Sequence, residues 1–304
     1  MSQPHSVMTN YDPHDWTSHL FDIEGSLVAE IVGRVMACVV WATFVTVLYV
    51  YGPKWLDHLA IPDTAHALIG SSLGLLLVFR TNASYDRFWE GRKLWGGIVN
   101  ETRNLGRQLS SWLGSDRDLT NRSIRWTVAF ANSTMFRLRG SKDLGTVGER
   151  LPRSDVEAVL RSNHLPMATL RQLTDLIHAA RKRELIDGHQ LQCLDHNIDQ
   201  LMDYCGACER IRSTPLPFAY AVHLRRALMV YCFTLPIALV ARFGLTTIPV
   251  TLVVAYILFG IEEIGVEIED PFGSDTNDLP LDTICHSIEQ NLFELEQKET
   301  DLPA

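Results

Sequence analysis

Four apolar stretches are separated along the chain by polar sequence. They are residues 27–50, 65–79, 227–241 and 245–261. The first is longer than the about 20 residues that a membrane-spanning helix needs, and the second can reach this length because no break separates it from Arg80. Only Arg242-Phe-Gly244 divides the third from the fourth, which predicts a helical hairpin. The pattern therefore predicts four membrane crossings, with both ends of the chain on one side.

Apolar residues at helical spacing continue into the polar sequence. Such spacing relates Leu94, Ile98, Leu105, Leu109 and Trp112, so we expect the second helix to extend well beyond the membrane. A further amphipathic helix is predicted by Leu170, Leu173, Ile177 and Ala180. No stretch alternates as a strand does, and residues 140–152 are the best candidate for a loop. The predicted fold class is all-α, with a large helical region outside the membrane.

Basic residues surround the polar region between the second and third apolar stretches. They are Arg80, Arg87, Arg92, Lys93, Arg103 and Arg107 on one side and Arg225 and Arg226 on the other. Because Lys and Arg concentrate on the cytoplasmic side of a membrane, this region and both termini are predicted to be cytoplasmic. The predicted division is a cytosolic N-terminal segment (1–26), two membrane segments (27–79), a cytosolic helical region (80–217), two more membrane segments (218–261) and an acidic cytosolic tail (262–304).

Basic and aromatic residues are dense where the second apolar stretch ends. Arg80, Trp89 and Trp95 are predicted to form a collar at the membrane interface, where Trp and Arg side chains are favoured. Packing between helices is the alternative for the two Trp side chains.

Composition excludes several classes of protein. The chain has 304 residues, 46% of them apolar, and a net charge of −9, which argues against binding to nucleic acid. No spacing typical of a catalytic motif is present, so we expect no enzyme activity. The pair Cys205 and Cys208 is too small a set for a zinc site and is interpreted as packed thiols. No metal or cofactor is predicted.

Three motifs resemble the bestrophin family, in its bacterial branch. They run from Arg80 to Trp95, from Cys208 to Tyr220 and from Glu269 to Pro280. They contain Arg80-Thr-Asn-Ala-Ser-Tyr85-Asp-Arg87-Phe-Trp89, Thr214-Pro-Leu-Pro217-Phe-Ala-Tyr220 and Glu269-Asp-Pro-Phe-Gly-Ser-Asp275-Thr-Asn-Asp278, respectively. The resemblance covers residues 20–295 and implies a ring, a homopentamer of helical channel subunits around one central pore. It also implies an integral protein of the bacterial plasma (inner) membrane whose partners are its own copies, membrane lipid and small monovalent ions.

The resemblance further implies that the second membrane helix lines the neck of the pore. The matching residues are Thr64, Leu68, Ser72 and Leu76, with Leu68 and Ser72 as the central pair. Hydroxyl groups here are expected to ease hydration of a constriction that otherwise closes by dewetting. Packing of this stripe against a neighbouring helix is the alternative, because small residues in membrane helices usually mark helix contacts.

Two other sites are implied by the resemblance. A cytosolic aperture falls near Ile198, which also belongs to an ordinary apolar helix face with Leu194 and Leu201. An acidic loop like the calcium clasp of animal bestrophins falls at Asp275 and Asp278. Calcium takes six to eight oxygen ligands, so two carboxylates make a weak clasp. The alternative is structural: the acids at Glu263, Glu267 and Asp270 pair with Arg87, Arg92 or Arg103, and Asp278 caps a turn.

The predicted function is a passive channel for small monovalent ions, either chloride or sodium and potassium. Asp57 and Asp63 near the outer mouth, together with the net charge, favour cations slightly. A secondary transporter is an alternative, because Glu30 and Arg34 lie within an apolar stretch. A membrane-anchored scaffold or sensor that works through its cytosolic region is the other.

Overall fold

The computed structural model describes residues 27–53 and 61–298. Its helices are α1 (Val28–Tyr51), α2 (Asp63–Leu113), α3 (Arg117–Leu138), α4 (Arg153–Leu160), α5 (Leu165–Lys182), α6 (Gly188–Ser213), α7 (Phe218–Phe243), α8 (Thr247–Glu267) and α9 (Leu281–Lys298). Short 3-10 helices cover Thr146–Arg150 and Gly244–Thr246. These residues contain no strand, and the all-α prediction is confirmed.

The chain divides into two compact units. Of the described residues, the first contains 27–53, 61–88 and Pro215–Asp270, and the second contains Trp89–Thr214 and 271–298. Helix α2 contributes its first half to one unit and its second half to the other. This division follows packing within the chain and not a membrane boundary, so the predicted cytosolic and membrane segments remain a prediction. The segment 1–26 lies outside the described residues.

In the first unit, each of four helices buries one narrow stripe. The stripes form a shared core of Ile31, Val35, Cys38, Leu73, Leu77, Leu224, Leu228, Cys232, Ala255 and Phe259. Within each helix these residues lie three or four positions apart, the spacing that keeps side chains on one helical face. The other faces remain apolar and exposed, as at Val40, Val230 and Val253. Such exposed apolar surface suits lipid or further protein and not water.

Three described stretches are long and apolar enough to cross a membrane. They are Val28–Tyr51, Asp63–Leu113 and Phe218–Glu267. The third contains both α7 and α8, which meet at Gly244, whose φ of +53° suits a residue without a Cβ. Near the start of α7, Arg225 Nε donates to Glu262 Oε1 near the end of α8 at 2.9 Å. The two helices therefore run antiparallel, as the predicted hairpin requires.

Helix α2 approaches α7 closely at Gly70. A Cβ atom at this position would lie 2.5 Å from the Tyr231 hydroxyl oxygen, nearer than real Cβ contacts allow. The absence of a side chain therefore lets the Tyr231 ring lie against the α2 backbone, as expected for small residues at helix contacts. At Gly74 no atom lies within 4 Å of the corresponding position, so only one of the two glycines is needed for contact within this chain.

In the second unit, α3 is the most deeply buried helix even though its sequence is only weakly apolar. Trp126 and Phe130 are fully buried there, and so are several hydroxyl side chains. Most of these hydroxyls donate to a carbonyl of their own helix, for example Ser123 to Leu119 and Thr127 to Ser123, and Thr120 donates to the carbonyls of Leu113 and Asp116. Because their donors are satisfied locally, these polar residues can face a core.

The predicted helices of the second unit are present. Helix α2 extends to Leu113, and α5 buries all four residues of the predicted amphipathic stripe, Leu170, Leu173, Ile177 and Ala180. The predicted loop at 140–152 is partly helical, because a 3-10 turn over Thr146–Arg150 buries Val147. Gly145 before it has a φ of +70°, so the turn starts at a residue that accepts this conformation.

Trp95 does not lie at a surface. Its side chain is fully buried within the second unit, whereas Trp89 is 49% exposed. Packing is therefore the correct interpretation for Trp95, since an interfacial anchor has to reach lipid headgroups. Trp89 remains available as an anchor.

The difference in burial between Trp95 and Trp89 predicts that replacing each with alanine has unequal effects on stability. Trp95→Ala should lower the free energy of unfolding by about 3–5 kcal/mol, because it leaves a large cavity in the core. Trp89→Ala should change it by less than about 1 kcal/mol. The shift in apparent melting temperature of the two purified variants in detergent measures the contrast. Equal shifts would show that burial of Trp95 does not support the second unit.

Candidate functional site

One face of α2 is left uncovered by the chain itself. Thr64 and Ser72 are exposed, Leu68 is 72% exposed and Leu76 is 36% exposed. These are the four residues predicted for the pore neck. Leu75 and Phe79, which lie on the same side of the helix, are also exposed. A continuous, mostly apolar surface therefore runs along this part of α2.

The hydroxyl and carbonyl groups on this face have local partners. Ser72 Oγ donates to the carbonyl of Leu68 at 3.0 Å, and Ser71 Oγ donates to that of Ala67 at 2.9 Å. The Tyr220 hydroxyl donates to the carbonyl of Leu76 at 3.0 Å. Because the serine protons point back into the helix, the serine oxygens present lone pairs outward.

The opposite face of α2 packs into the first unit. Its buried residues are His66, Leu73, Leu77, Arg80 and Ser84. Positions 66, 73, 77, 80 and 84 follow the three- and four-residue spacing of one helix face. The buried side chains of this part of α2 thus all belong to this stripe, and the alternative that Leu68 and Ser72 pack inside the subunit is not supported.

Glu262, at the end of α8, accepts hydrogen bonds from arginines on three other helices. Arg80 Nη1 lies 2.9 Å from its Oε1 and also 2.9 Å from its backbone oxygen. Arg225 Nε reaches Oε1 at 2.9 Å, and Arg34 Nη1 reaches Oε2 at 3.2 Å. Glu262 and Arg80 are both 1% exposed. One carboxylate therefore connects α1, α2, α7 and α8.

This arrangement corrects the prediction for Arg80. The side chain does not form part of an exposed collar but is buried in an ion pair, since a charged group can be buried only with partners. Arg80 also approaches Glu269 at 3.7 Å. Together with the burial of Trp95, this leaves Trp89 as the one member of the predicted collar that is exposed.

Glu263 has a different partner from the one that the structural alternative expected. Arg34 does not pair with the Glu30 carboxylate; it donates to the Glu30 backbone oxygen and forms ion pairs with Glu262 and Glu263. Glu263 therefore pairs with a base on α1 and not with the bases after the second stretch. Arg87 donates to the backbone oxygen of Glu269 at 3.0 Å.

A pattern in the sequence points to this network. An arginine lies near one end of each of the first three apolar stretches, at positions 34, 80 and 225, and an acid follows the fourth at position 262. In four helices that alternate in direction, these positions fall at one level. The individual pairs are not predictable in this way, because they depend on how the helices are rotated.

At the other end of α2, Asp63 and His66 have partners on α7. Arg242 Nη1 lies 2.9 Å from Asp63 Oδ2. His66 Nε2 lies 3.1 Å from the Thr234 hydroxyl oxygen, and its ring lies against Tyr231. The charge of Asp63, one basis for expecting cations, is therefore opposed by an adjacent base. Asp57 lies outside the described residues.

Ile198 lies inside the second unit. Its side chain is 7% exposed, and Leu194 and Leu201 on the same face of α6 are fully buried. A residue at an aperture must face an open axis, so the structure favours the packing alternative for Ile198. The exposed side of α6 carries polar residues, among them Gln192, His196 and Asp199.

The acidic loop before α9 forms a closed turn. The backbone N–H of Asp275 donates to Asp278 Oδ2 at 2.7 Å, and that of Asp278 donates to the Asp275 carbonyl at 3.1 Å. Asp278 is 6% exposed, whereas Asp275 is exposed. In the part of the chain that the structure describes, no cluster of three or more His, Cys, Asp or Glu side chains can hold a metal ion. These contacts agree with the turn-capping alternative.

Cys205 and Cys208 are both buried in α6. Burial raises the pKa of the Cys205 thiol to about 12 and raises the pKa of Cys208 as well. Both thiols therefore stay protonated at neutral pH, whereas metal binding and nucleophilic attack require thiolate. The interpretation as packed thiols agrees with this geometry.

Comparisons with known proteins point to one family. A family model described as "Bacterial/Fungal Bestrophin protein" matches residues 8–294. The chain is 39% identical over 291 residues to the voltage-dependent anion channel-forming protein alr2987 of Nostoc sp., a match that covers 92% of this chain and 91% of that relative. It is 30% identical to the voltage-dependent anion channel-forming protein YneE of Escherichia coli (strain K12), over 95% of this chain and 94% of that protein.

Solved structures give the same result. The crystal structure of a bacterial bestrophin homolog from Klebsiella pneumoniae superposes with a TM-score of 0.83 at 31% identity. The match covers 88% of this chain and 98% of the Klebsiella chain.

The network around Glu262 yields a prediction about stability. Glu262→Gln should lower the free energy of unfolding by about 3–5 kcal/mol, because the buried Arg80 guanidinium loses its nearer countercharge and keeps only Glu269 at 3.7 Å. Glu263→Gln is the matched control: it removes an equal charge one residue away, but its only ion pair among the described residues is with Arg34, which is 37% exposed. Melting temperatures in detergent should fall much further for the first variant. An equal fall in both would mean that burial of the pair is not what stabilises the four helices.

Proposed function

The chain belongs to the bestrophin family, and on this basis we propose that it is one subunit of a homo-oligomeric ring, a homopentamer, that encloses a passive channel for small monovalent ions. Family membership and the apolar helices make it an integral membrane protein. The prediction that it is not an enzyme is confirmed by the same family assignment.

The exposed face of α2 is the observation that carries the proposal. Leu68, Leu75 and Phe79 are more than half exposed, although they belong to a helix that is apolar enough to cross a membrane. One such face cannot enclose a pore. Several identical faces arranged around an axis can, and a ring of copies also covers apolar sides of the helices that the single chain leaves exposed.

In this ring the neck is formed by Thr64, Leu68, Ser72 and Leu76. Leu68 and Ser72 are the most central, and the partial burial of Leu76 puts it at the edge of the lining face. Rings of leucine make a constriction that water leaves easily, whereas the serine oxygens offer polar contacts that retain it. Conduction then depends on how strongly the leucine rings exclude water and how strongly the serine oxygens retain it. We leave Ile198 out of the lining.

We propose that the channel favours chloride over sodium and potassium. The relatives named above are called anion channel-forming proteins, and this name agrees with the charge distribution near Asp63. The ion pair with Arg242 offsets the carboxylate that otherwise attracts cations, and the Arg242 side chain is 72% exposed. A cationic group at the mouth raises the local concentration of anions.

The remaining parts follow the predicted division. We place the chain in the bacterial inner membrane with both termini in the cytoplasm, with Trp89 in contact with lipid headgroups. We also propose that Asp275 and Asp278 shape the loop before α9 and bind no calcium at micromolar concentrations, because Asp278 Oδ2 already accepts from a backbone N–H.

Ion selectivity tests the proposal. In a planar bilayer with a sodium chloride gradient, the reversal potential should lie toward the chloride equilibrium potential. Asp63→Asn should move it further in that direction because it frees the charge of Arg242, and Arg242→Gln should move it toward sodium. Asp118→Asn, at a side chain 82% exposed on α3, is the charge-matched control and should change little. A parent channel that reverses near the sodium potential would refute chloride preference, and absence of unitary currents would refute the channel itself.

The neck makes a separate prediction. Ser72→Phe should reduce unitary conductance about tenfold or more, because a ring of phenyl groups both narrows and dries the constriction. Leu68→Ala should raise conductance or open probability. Val40→Phe adds the same kind of ring on the exposed side of α1, where Val40 is 65% exposed, and serves as control. All three need rings whose mass is intact by mass photometry. If intact Ser72→Phe rings conduct like the parent, another face of α2 lines the pore.

A further inference from the structure

A basic cavity lies in the second unit, away from the proposed neck residues in sequence. It has a volume of about 140 Å³, and its lining residues are Arg137, Gly140, Ser141, Lys142, Asn163, Leu165 and Arg212. Three cationic side chains thus line one small space, in a chain whose net charge is −9. All of them belong to the same compact unit.

The charge of Arg137 is balanced within the protein. Its Nε donates to Glu209 Oε1 at 2.7 Å, and its Nη1 donates to the carbonyl of Asn163 at 3.3 Å. Burial raises the pKa of Glu209, but the hydrogen bonds from Arg137 and His164 outweigh this effect and lower the pKa overall. Glu209 is therefore ionised at neutral pH, and it neutralises one of the three cations.

Lys142 and Arg212 have no such partner. Lys142 Nζ donates to the carbonyl of Ser162 at 2.8 Å, and Arg212 Nη1 donates to that of Arg137 at 2.6 Å. Within residues 27–53 and 61–298, no carboxylate pairs with either side chain. Carbonyl oxygens orient these cations without neutralising them, so two positive charges remain at the cavity.

Helix capping accounts for only part of this arrangement. Arg137 and Arg212 lie in the last turns of α3 and α6, where cations are favourable, and the Arg212 contact with a carbonyl at the end of α3 fits that role. The contact with the Arg137 carbonyl is made by Arg212 Nη1 and leaves Arg212 Nη2 unused. Arg212 Nη2 faces the position beside Gly140. A Cβ on Gly140 would lie 3.1 Å from that nitrogen, so the glycine keeps space open next to a free donor.

From these contacts we infer that the cavity lined by Arg137, Lys142 and Arg212 binds an oxyanion of the phosphate class. Guanidinium groups present paired N–H donors that match phosphate oxygens, and an ammonium adds a mobile point charge. The cavity volume suits a single phosphate group and not a large polyanion. The phosphate can come from a free ion or from the headgroup of an anionic lipid.

The test is a binding measurement on the full chain, and it does not depend on conduction. Melting temperature in detergent is recorded against sodium phosphate, with sodium chloride at matched ionic strength as reference. The parent protein should show saturable stabilisation, because a ligand that binds only the folded state raises its stability. Lys142→Gln and Arg212→Gln should each weaken apparent affinity about tenfold or more, since each removes a charged hydrogen-bond donor.

A control variant separates this site from general charge effects. Arg153→Gln removes one positive charge from a side chain 93% exposed in the same unit and should bind phosphate like the parent. Lys142 is exposed and has one backbone contact, so its variant remains informative if Arg212→Gln disturbs the end of α3.

A second titration identifies the source of the phosphate group. Short-chain phosphatidylglycerol, with short-chain phosphatidylcholine as reference, replaces the free ion. Saturable binding of free phosphate that both variants weaken supports a soluble ligand, and saturable binding of phosphatidylglycerol alone with the same sensitivity supports a lipid headgroup. No saturable binding of either, or equal affinity in the parent and all three variants, overturns the inference.

Discussion

The packing of the first unit depends on a single buried carboxylate. Glu262 is the point at which α1, α2, α7 and α8 are joined by directed contacts, because arginines from three helices donate to it. Apolar stripes hold helices together without fixing their rotation, whereas charged hydrogen bonds require particular distances and angles. The pair with Arg80 is also the one that burial makes hardest to replace. The exposed direction of Leu68 and Ser72 follows from it, since the rotation that buries Arg80 turns the other face of α2 outward.

A single copy of the chain does not cover its own apolar surfaces. Its four apolar helices share one narrow core, and large apolar surfaces on α1, α2, α7 and α8 remain uncovered. In a water-soluble protein such surfaces would be an aggregation liability. In the proposed membrane ring they have three different uses, because lipid, neighbouring copies and the central pore each need an exposed face. The exposed apolar faces of one chain therefore support the proposed ring.

The second unit differs from the first because it buries many polar groups. Most buried hydroxyls of α3 donate to carbonyls of that same helix. Several of its bases pair with carboxylates, as Arg137 does with Glu209 and Arg125 with Glu296. Lys142 and Arg212 have no carboxylate partner among the described residues and line one cavity together, and this combination is what supports the proposed ligand. The thiols of Cys205 and Cys208, by contrast, are held protonated by burial and contribute packing alone.

The sequence by itself determined the all-α class, the four apolar helices, the hairpin at Gly244 and the extension of α2 to Leu113. It did so because helical periodicity and apolar length are local properties that a short window of residues expresses. Only the tertiary structure decided that Trp95, Arg80 and Ile198 are buried and that Asp63 meets Arg242. Arg80 and Glu262 are 182 residues apart, and nothing within reach of either one specifies the other. Burial and charge pairing depend on which helices meet and how each is rotated, and that information exists only when the whole chain is folded.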